Sequence, residues 1–478
     1  MMKRVLPLGL VCSLLLVCAC KQEGLDEDIF METYFEVDED CVAPCAVAVG
    51  IRDAQGISSF SWEIVETEEL IDKRFSQFEL IEPGDYTILC LGRDTVGNIL
   101  KTDTFRVSVG INNFERTYDF GINATAYGIA ESLEPGGGFV IVGAGQHIIK
   151  VDNFGESFFD FFSWPLYLDP SLRDFNKNFT HVLGIDVNTY VVVESTSVDS
   201  FLNQQSKLLF INQQGELISQ IALSGMAAEL TNVEVTDIVR GDGDEYFLTG
   251  YYQSELPDEP QGLFLARGQG IGQPEFLLRI PDTSSFRVIG GEILRRSNGE
   301  IYFTGLRRDP IRGLRTSIFQ WNTPLLQFSL PVSETVTFLH LLDNSSGLEW
   351  FAIDGFQSSS VKQLSFDQNR TNTSIGSIIE ASQFSYPNIH VPKAIRGIPQ
   401  GIAMVFNLYR DNYDYGVGYY FFRDNQSGRA TLETASDIDL GNSDSRLMDI
   451  IQTRDGSFAM VGALRGKMFL KKVNEYRD

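Results

Sequence analysis

Seven stretches of strong strand character recur down this chain at a spacing of about 50–55 residues. They are GGFVIVGAG (137–145), NTYVVVEST (188–196), DEYFLTGYY (244–252), GEIYFTGLR (299–307), LEWFAIDGF (348–356), GIAMVFNLY (401–409) and GSFAMVGAL (456–464). Most follow another short apolar strand, such as VTDIVR, GGEILRR, TFLHLLD or MDIIQT. Most precede a second hairpin, such as KLLFINQQGELISQI or GLFLARGQGIGQPEFLL. No helical period runs through the units. Four short strands per unit and seven units predict a seven-bladed β-propeller. The last unit stops after three strands, whereas NFERTYDFG (113–121) precedes the first unit and belongs to none. A missing strand leaves exposed edges. Residues 114–120 are therefore expected to complete the last blade, so that the propeller occupies 113–478 with 113–121 as its closing segment.

Residues 31–110 carry a different pattern. Short alternating runs (YFEVDE, CAVAVGIR, SFSWEIV, FSQFELI, DYTILCLG, TFRVSVG) are separated by the turn sequences DAQG, EPGD and DTVGN. This predicts a small antiparallel sandwich, so the whole fold class is all-β. APCAVAV, SFSWEI, EPGDYTI and VGN resemble a polycystic-kidney-disease (PKD) domain, an Ig-like module. The resemblance implies Trp62 as a core tryptophan, Tyr86 at the start of the penultimate strand, and a spacer role. The family's acidic turn after the tryptophan is replaced by WEIVETEEL. The later repeats resemble the divergent D-G-G-[FY]-hydrophobic-V-G units of secreted bacterial propellers. They lack the WD dipeptide and the paired glycines of kelch repeats. That likeness implies architecture and no function.

The N-terminus reads as a targeting segment. MMKR is a basic n-region, and VLPLGLVCSLLLV is an apolar run of about 13 residues, short for a bilayer span. VCAC (17–20) follows. Ala19 before Cys20 resembles the lipobox of bacterial lipoproteins, which implies a signal peptide over 1–19 and lipidation of Cys20. Each buried methylene of such a chain contributes roughly 0.8 kcal/mol to membrane attachment. Residues 20–30 are polar and acidic and read as a tether. An acidic stretch behind the lipidated cysteine resembles the export signal of Bacteroidota-type surface lipoproteins. The expected location is the outer membrane, reached through the lipid anchor alone.

Export permits disulfides. Cys41 and Cys45 in DCVAPC are the favoured pair and Cys45–Cys90 the alternative, with Cys90 otherwise a buried thiol in YTILCLG. The net charge of −26 argues against nucleic acid as a partner. No cysteine–histidine cluster, phosphate-cradling loop or nucleophile elbow is present, so neither metal nor cofactor is expected. The four histidines (His147, His181, His340, His390) lie far apart without local ligand spacing. VDNFGESF (151–158) resembles one Asp-box of sialidase-type propellers and reads as a turn, as does RGDGDE (240–245). SDIDLGNSDS (436–445) is the better calcium-loop pattern, though without the full alternation. The innermost strands offer Glu131, Asp186, Asp237, Glu292 and Asp449, and nothing in the sequence singles out a catalytic pair among them.

Binding chemistry gathers instead in connections expected on one face. FFDFFSWPLYLDPSLRDF (158–175) carries Trp164 and Tyr167, and YRDNYDYGVGYY (409–420) carries Tyr413 and Tyr415. LRRDPIRGLR carries Arg307, Arg308, Arg312 and Arg315, opposite in charge to Glu255, Asp258 and Glu259 of SELPDEPQG. Aromatics suit sugar rings and protein hot spots, and arginines suit carboxylates. A non-catalytic module that binds a protein or glycan is the expected function. A polysaccharide-active propeller enzyme and a structural subunit of an outer-membrane assembly are the alternatives. Cys20→Ala is expected to abolish fatty-acid labelling in cells fed a radiolabelled fatty acid; labelling at the wild-type level would refute the anchor.

Overall fold

The computed structural model describes residues 29–474 except 38–40, 121–123, 135, 158–176, 197–204, 283–288, 310–312, 322–325, 330–337, 345–346, 354–359, 367–371, 381–387, 398–400, 411–413, 425–429 and 441–444. Between 307 and 440 many strands are described by their backbone alone. Among the described residues no helix is long and apolar enough to cross a membrane.

The protein is all-β. It divides into two compact units, the first comprising Ala48–Gln77, Tyr86–Val107 and the residues up to Glu36, the second Val37–Val47, Phe78–Asp85 and Ser108–Asp478. In the N-terminal region, Phe30–Val37, Cys45–Gln55 and Phe75–Leu80 form a three-stranded sheet. Glu69–Ile71, Ser59–Ile64, Gly84–Arg93 and Ile99–Val109 form a four-stranded one in that spatial order. Inner faces meet where Phe35 stacks on Phe105 at 4.9 Å. Trp62 is fully buried and donates its indole N–H to the Lys73 carbonyl at 3.1 Å. The edge strand Glu69–Ile71 falls where the sequence showed only WEIVETEEL. Cys41 and Cys45 form a disulfide with Cα atoms 5.5 Å apart. Cys90 is a free buried thiol, its pKa pushed up to about 12 by burial and then by Asp103.

Seven sheets follow. Blade one is Ala126–Glu131, Phe139–Gly143 and His147–Val151. Its chain goes on to an isolated bridge between Val151 and Ser157, beyond which the expected fourth strand lies outside the described residues. Blades two to six each have four strands in sequence order, with innermost strands Lys177–Asp186, Leu230–Arg240, Ile289–Arg295, Phe338–Asn344 and Asn388–Gly397. Blade seven has Arg446–Gln452, Phe458–Leu464 and Lys467–Val473, and its fourth strand is Phe114–Tyr118. That strand runs antiparallel to Lys467–Val473, from Phe114 opposite Lys472 to Tyr118 opposite Met468. Each innermost strand contacts the next, and that of blade seven contacts that of blade one, so the ring is closed.

Among the described residues, the second strands of blades one to four, six and seven are largely apolar on both faces because both are buried. In blade two, Tyr190 and Val192 pack towards blade one with Val140, Val142 and Ile148. Val191 and Val193 pack towards blade three with Val233, Leu248 and Phe264. The closing strand seals the junction of blades seven and one: Tyr118 is buried with Phe139, Ile141, Val461 and Met468, and its hydroxyl donates to the Gly155 carbonyl at 2.8 Å. Deleting 113–121 is expected to lower the melting temperature by about 5 °C or more and to promote association through the bared edge. Calorimetry and light scattering check this; a monomer of unchanged stability would mean that the ring does not depend on this strand.

Candidate functional site

The innermost strands surround a cavity of about 490 Å³. Their regular alternation should send only every second side chain towards it. Six of the seven break that alternation with a slip in pairing to the second strand. The slips near the cavity fall at Tyr127, Thr180, Thr236, the pair Gly291 and Glu292, the pair Val391 and Pro392, and Met448, and two more lie at Ile185 and Thr231. A bulge leaves its extra residue out of the ladder and re-aims the side chains around it. Consecutive residues therefore line the cavity: Thr236 and Asp237, Gly291 and Glu292, Pro392 and Lys393, Met448 and Asp449. Pro392 fits because a bulge needs no ladder N–H from it.

Six polar side chains occupy this place in successive blades: His181, Asp237, Glu292, His340, Lys393 and Asp449. Five of them sit opposite equivalent second-strand residues (His181 opposite Val193, Asp237 opposite Thr249, His340 opposite Phe351, Lys393 opposite Val405, Asp449 opposite Val461). Most reach the next blade's backbone. His181 hydrogen-bonds the backbone of Thr236. Asp237 Oδ2 accepts from Ile293 N at 3.0 Å, Glu292 Oε2 from Leu341 N at 3.1 Å, and Asp449 Oδ2 from Ile129 N at 3.1 Å. His340 Nε2 donates to the Val391 carbonyl at 2.8 Å. Between blades six and seven Asn407 does this work from a second strand, donating to the Leu447 carbonyl at 2.9 Å and accepting from Leu447 N at 2.8 Å. Several of the groups so satisfied lie in or beside bulges, where the ladder leaves them open.

The charges form one network. Lys393 Nζ lies 3.4 Å from Asp237 Oδ2 and 3.3 Å from Glu292 Oε1. Burial works against the Lys393 charge, but Asp237, Glu292 and Asp449 outweigh it and push its pKa up. His340 Nδ1 stands 2.6 Å from Glu292 Oε1. Since Nε2 must carry a proton to donate to a carbonyl, that short contact requires a second proton between Nδ1 and the carboxylate. Burial opposes ionisation of Glu292, yet His340 and Lys393 hold its pKa below the usual range. His390 is pushed down to about 4 by burial and by His340. Asp449 differs from the other carboxylates. Burial raises it to about 7, and Lys393 only partly offsets this.

Glu131 and Asp186 do not join the network. Glu131 accepts from Arg454 N at 2.8 Å, and Asp186 accepts from Asn188 N in a turn. VDNFGESF is a turn: Asp152 Oδ1 accepts from Phe154 N and Glu156 N, and Gly155 has φ +72°. RGDGDE is the turn between the first two strands of blade three, closed by Gly241 N donating to the Glu245 carbonyl at 2.7 Å. No group of three or more potential metal-ligating side chains occurs among the described residues.

Cys20, Trp164, Tyr167, Arg312 and Tyr413 lie outside the described residues. Arg307 and Arg308 belong to the strand Ile301–Asp309, Arg315 to Gly313–Trp321 and Tyr415 to Asp414–Asp424. The arginine segment is therefore a hairpin whose strands carry Arg307 opposite Arg315, and the tyrosine segment of blade six likewise sets Tyr409 opposite Tyr415. Regular pairing runs right up to each turn, which leaves little loop. The acidic loop of blade three has a partner of its own: Glu259 pairs with Arg279 at 3.2 Å.

Sequence reading missed Lys393 and the link between His340 and Glu292. The histidines lacked local ligand spacing because their spacing is the blade repeat itself. Aligning TH (180–181), TD (236–237), GE (291–292), LH (339–340), PK (392–393) and MD (448–449) brings out the polar column.

No protein-family model matches the chain, and a search of curated proteins found no match. Solved structures of β-propeller-like proteins are similar to it. YCF48 from Cyanidioschyzon merolae is 11% identical with a TM-score of 0.44, covering 75% of this chain and 98% of that one. The Hadza microbial sialidase Hz136 is 11% identical with a TM-score of 0.39, covering 94% and 96%. Drosophila semaphorin 1a, extracellular domains 1–2, is 8% identical with a TM-score of 0.43, covering 76% and 88%. No activity follows from likeness at this level.

Two outcomes are expected of the network. Lys393→Met strands two carboxylates in the channel; with a quarter of the lysine side chain exposed, the cost is about 2–3 kcal/mol in urea unfolding. An unchanged midpoint would show that the lysine is not their counter-ion. Asp449 has a folded pKa of about 7 against an ordinary 3.8. Its contribution is fully present below about pH 4 and is lost as the pH rises through 7. Asp449→Asn is expected to flatten that stretch of the stability–pH curve, and a curve of unchanged slope would refute the assignment.

Proposed function

We propose that the protein is a lipid-anchored, surface-exposed outer-membrane protein whose propeller acts as a non-catalytic module binding a protein or glycan partner. One observation carries the non-catalytic part. A retaining or inverting glycosidase needs an acid and a second carboxylate free to meet the sugar. Asp237 and Glu292 are instead engaged by backbone N–H groups and by Lys393. The anchor rests on the lipobox-like VCAC with Cys20, and the PKD-like region would act as a spacer between lipid and ring. Partner contact is assigned to the edge connections bearing Trp164, Tyr167, Tyr413 and Tyr415 and to the hairpin bearing Arg307, Arg308, Arg312 and Arg315. Residues at loops on a rigid scaffold are where binding usually resides.

One feature favours a polysaccharide-active enzyme as the second reading: Asp449, held near pH 7, could serve as an acid. Release of reducing ends from a polysaccharide panel, lost in Asp449→Asn, would establish it. The leading reading is tested by pull-down from detergent-solubilised membranes. A double variant, Arg308→Glu with Arg312→Glu, is expected to lose at least about tenfold in partner capture, equivalent to about 1.4 kcal/mol. Capture that survives both this change and Trp164→Ala with Tyr413→Ala would overturn the assignment of this face.

A further inference from the structure

We infer that the central cavity is a binding site for a small ligand bearing a primary ammonium group, with Asp449 as its counter-ion. This inference goes beyond the function proposed above and does not rest on it. Once Asp449 ionises, charges around the cavity do not cancel. Asp237, Glu292 and Asp449 bring three negative charges. Lys393 and the proton held between His340 and Glu292 bring two positive ones. Asp237 and Glu292 touch these cations directly, whereas Asp449 makes no ion pair among the described residues and meets Lys393 only at longer range. Its nearest polar partners are two backbone N–H groups, Ile129 N at 3.1 Å and Ile450 N at 2.9 Å, one to each oxygen. Each carboxylate oxygen keeps a further lone pair for a ligand.

The other charged groups around Asp449 do not fill the deficit. Asp237, from blade three, adds to the negative field. Glu131, on the adjoining strand of blade one, is tied to Arg454. Arg446, on its own strand, donates to Thr125 Oγ1 at 2.8 Å. His390, from blade six, is held neutral by burial.

Clamping does not require this charge. Asn407 makes the equivalent blade-to-blade contact with a neutral amide, both donating and accepting. A carboxylate at 449 is therefore surplus to the ring's cohesion, and its burial is unfavourable unless a cation joins it. The cavity is large enough for a ligand of monosaccharide size. Its wall supplies apolar surface from Tyr127, Ile129 and Ile450 and hydroxyls from Thr236 and Thr304. An ammonium group would complete the charge balance, and the remaining polar groups suit hydroxyls. A free amine and an amino sugar share this chemistry.

Calorimetric titration of the full-length protein tests it with ethanolamine, glucosamine and N-acetylglucosamine. Ethanolamine or glucosamine is expected to bind, and N-acetylglucosamine, which lacks the charge, at least about tenfold more weakly. Tighter binding of glucosamine assigns the amino sugar, and tighter binding of ethanolamine the free amine. Asp449→Asn is expected to weaken the better ligand by about tenfold or more. In the wild-type protein, ethanolamine affinity is expected to rise about tenfold from pH 6 to pH 8 as Asp449 ionises. No binding by either amine, equal binding of N-acetylglucosamine, or an affinity indifferent to both pH and Asp449→Asn would overturn the proposal. The pH series needs no variant, so a misfolded mutant does not block the test. Partner capture in the pull-down is a separate readout, and either result stands without the other.

Discussion

Blades of a propeller have no backbone ladder between them, so the ring's cohesion must come from side chains. In this protein two layers supply it. Apolar side chains from facing strands interdigitate between adjacent blades, as Val191, Val193 and Phe210 do with Val233, Leu248 and Phe264. Towards the axis, side chains of one innermost strand fill the hydrogen-bond vacancies of the next. Several of the vacancies arise at or beside bulges, and an unfilled one would cost about 1–3 kcal/mol. His181, Asp237, Glu292, His340 and Asp449 each remove such a cost. The bulges thus do two things together: they open backbone groups to the neighbouring blade and turn polar side chains into the cavity.

Closure concentrates these devices at the junction of blades seven and one. Phe114–Tyr118 supplies a ladder to Lys467–Val473 from the other end of the chain. Asp449 clamps Ile129, Arg446 reaches Thr125, and Arg454 reaches Glu131. Lys472, buried within blade seven, pairs with Asp455 at 2.7 Å and reaches Asn153 of the blade-one turn at 3.3 Å. A buried pair of this kind is a weak source of stability but leaves few alternative partners for either charge. It ties the turn of the first blade to the third strand of the last, as closing a ring from two distant segments requires.

The fold was legible because it rests on periodicities that composition does not hide. The apolar second strands, the repeat length and the orphan strand at 113–121 each carry a local signal. The cavity was not legible for the opposite reason. Its six polar residues lie one blade apart, so each looks isolated in any short window. At five of the six a bulge lies at or next to the column residue, and a bulge leaves little trace in sequence; Pro392 within HVPKAIRG is the clearest one. In the arginine hairpin the charges and Pro310 resemble loop composition, whereas the backbone pairs regularly up to Asp309 opposite Gly313.

Two features break local rules, and both bear on function. Arg307 stands directly opposite Arg315 across an antiparallel pair, in a chain of net charge −26. Like charges in that position are destabilising, by an amount comparable to what a favourable pair contributes. Asp449 is a carboxylate where a neutral amide would clamp as well. The Asp449 charge is not explained by the needs of the fold, which elsewhere settles its charges closely: Lys393 between two carboxylates, His340 on Glu292, Arg279 between Glu229 and Glu259. Where a structure is consistent at every other level, its local exceptions are the places to look for a ligand. Here they have opposite sign. On the readings proposed above, the hairpin would offer positive charge to an acidic partner and the cavity negative charge to a cation. A single ligand could not satisfy both by the same group, so the two proposals call for two separate recognition events.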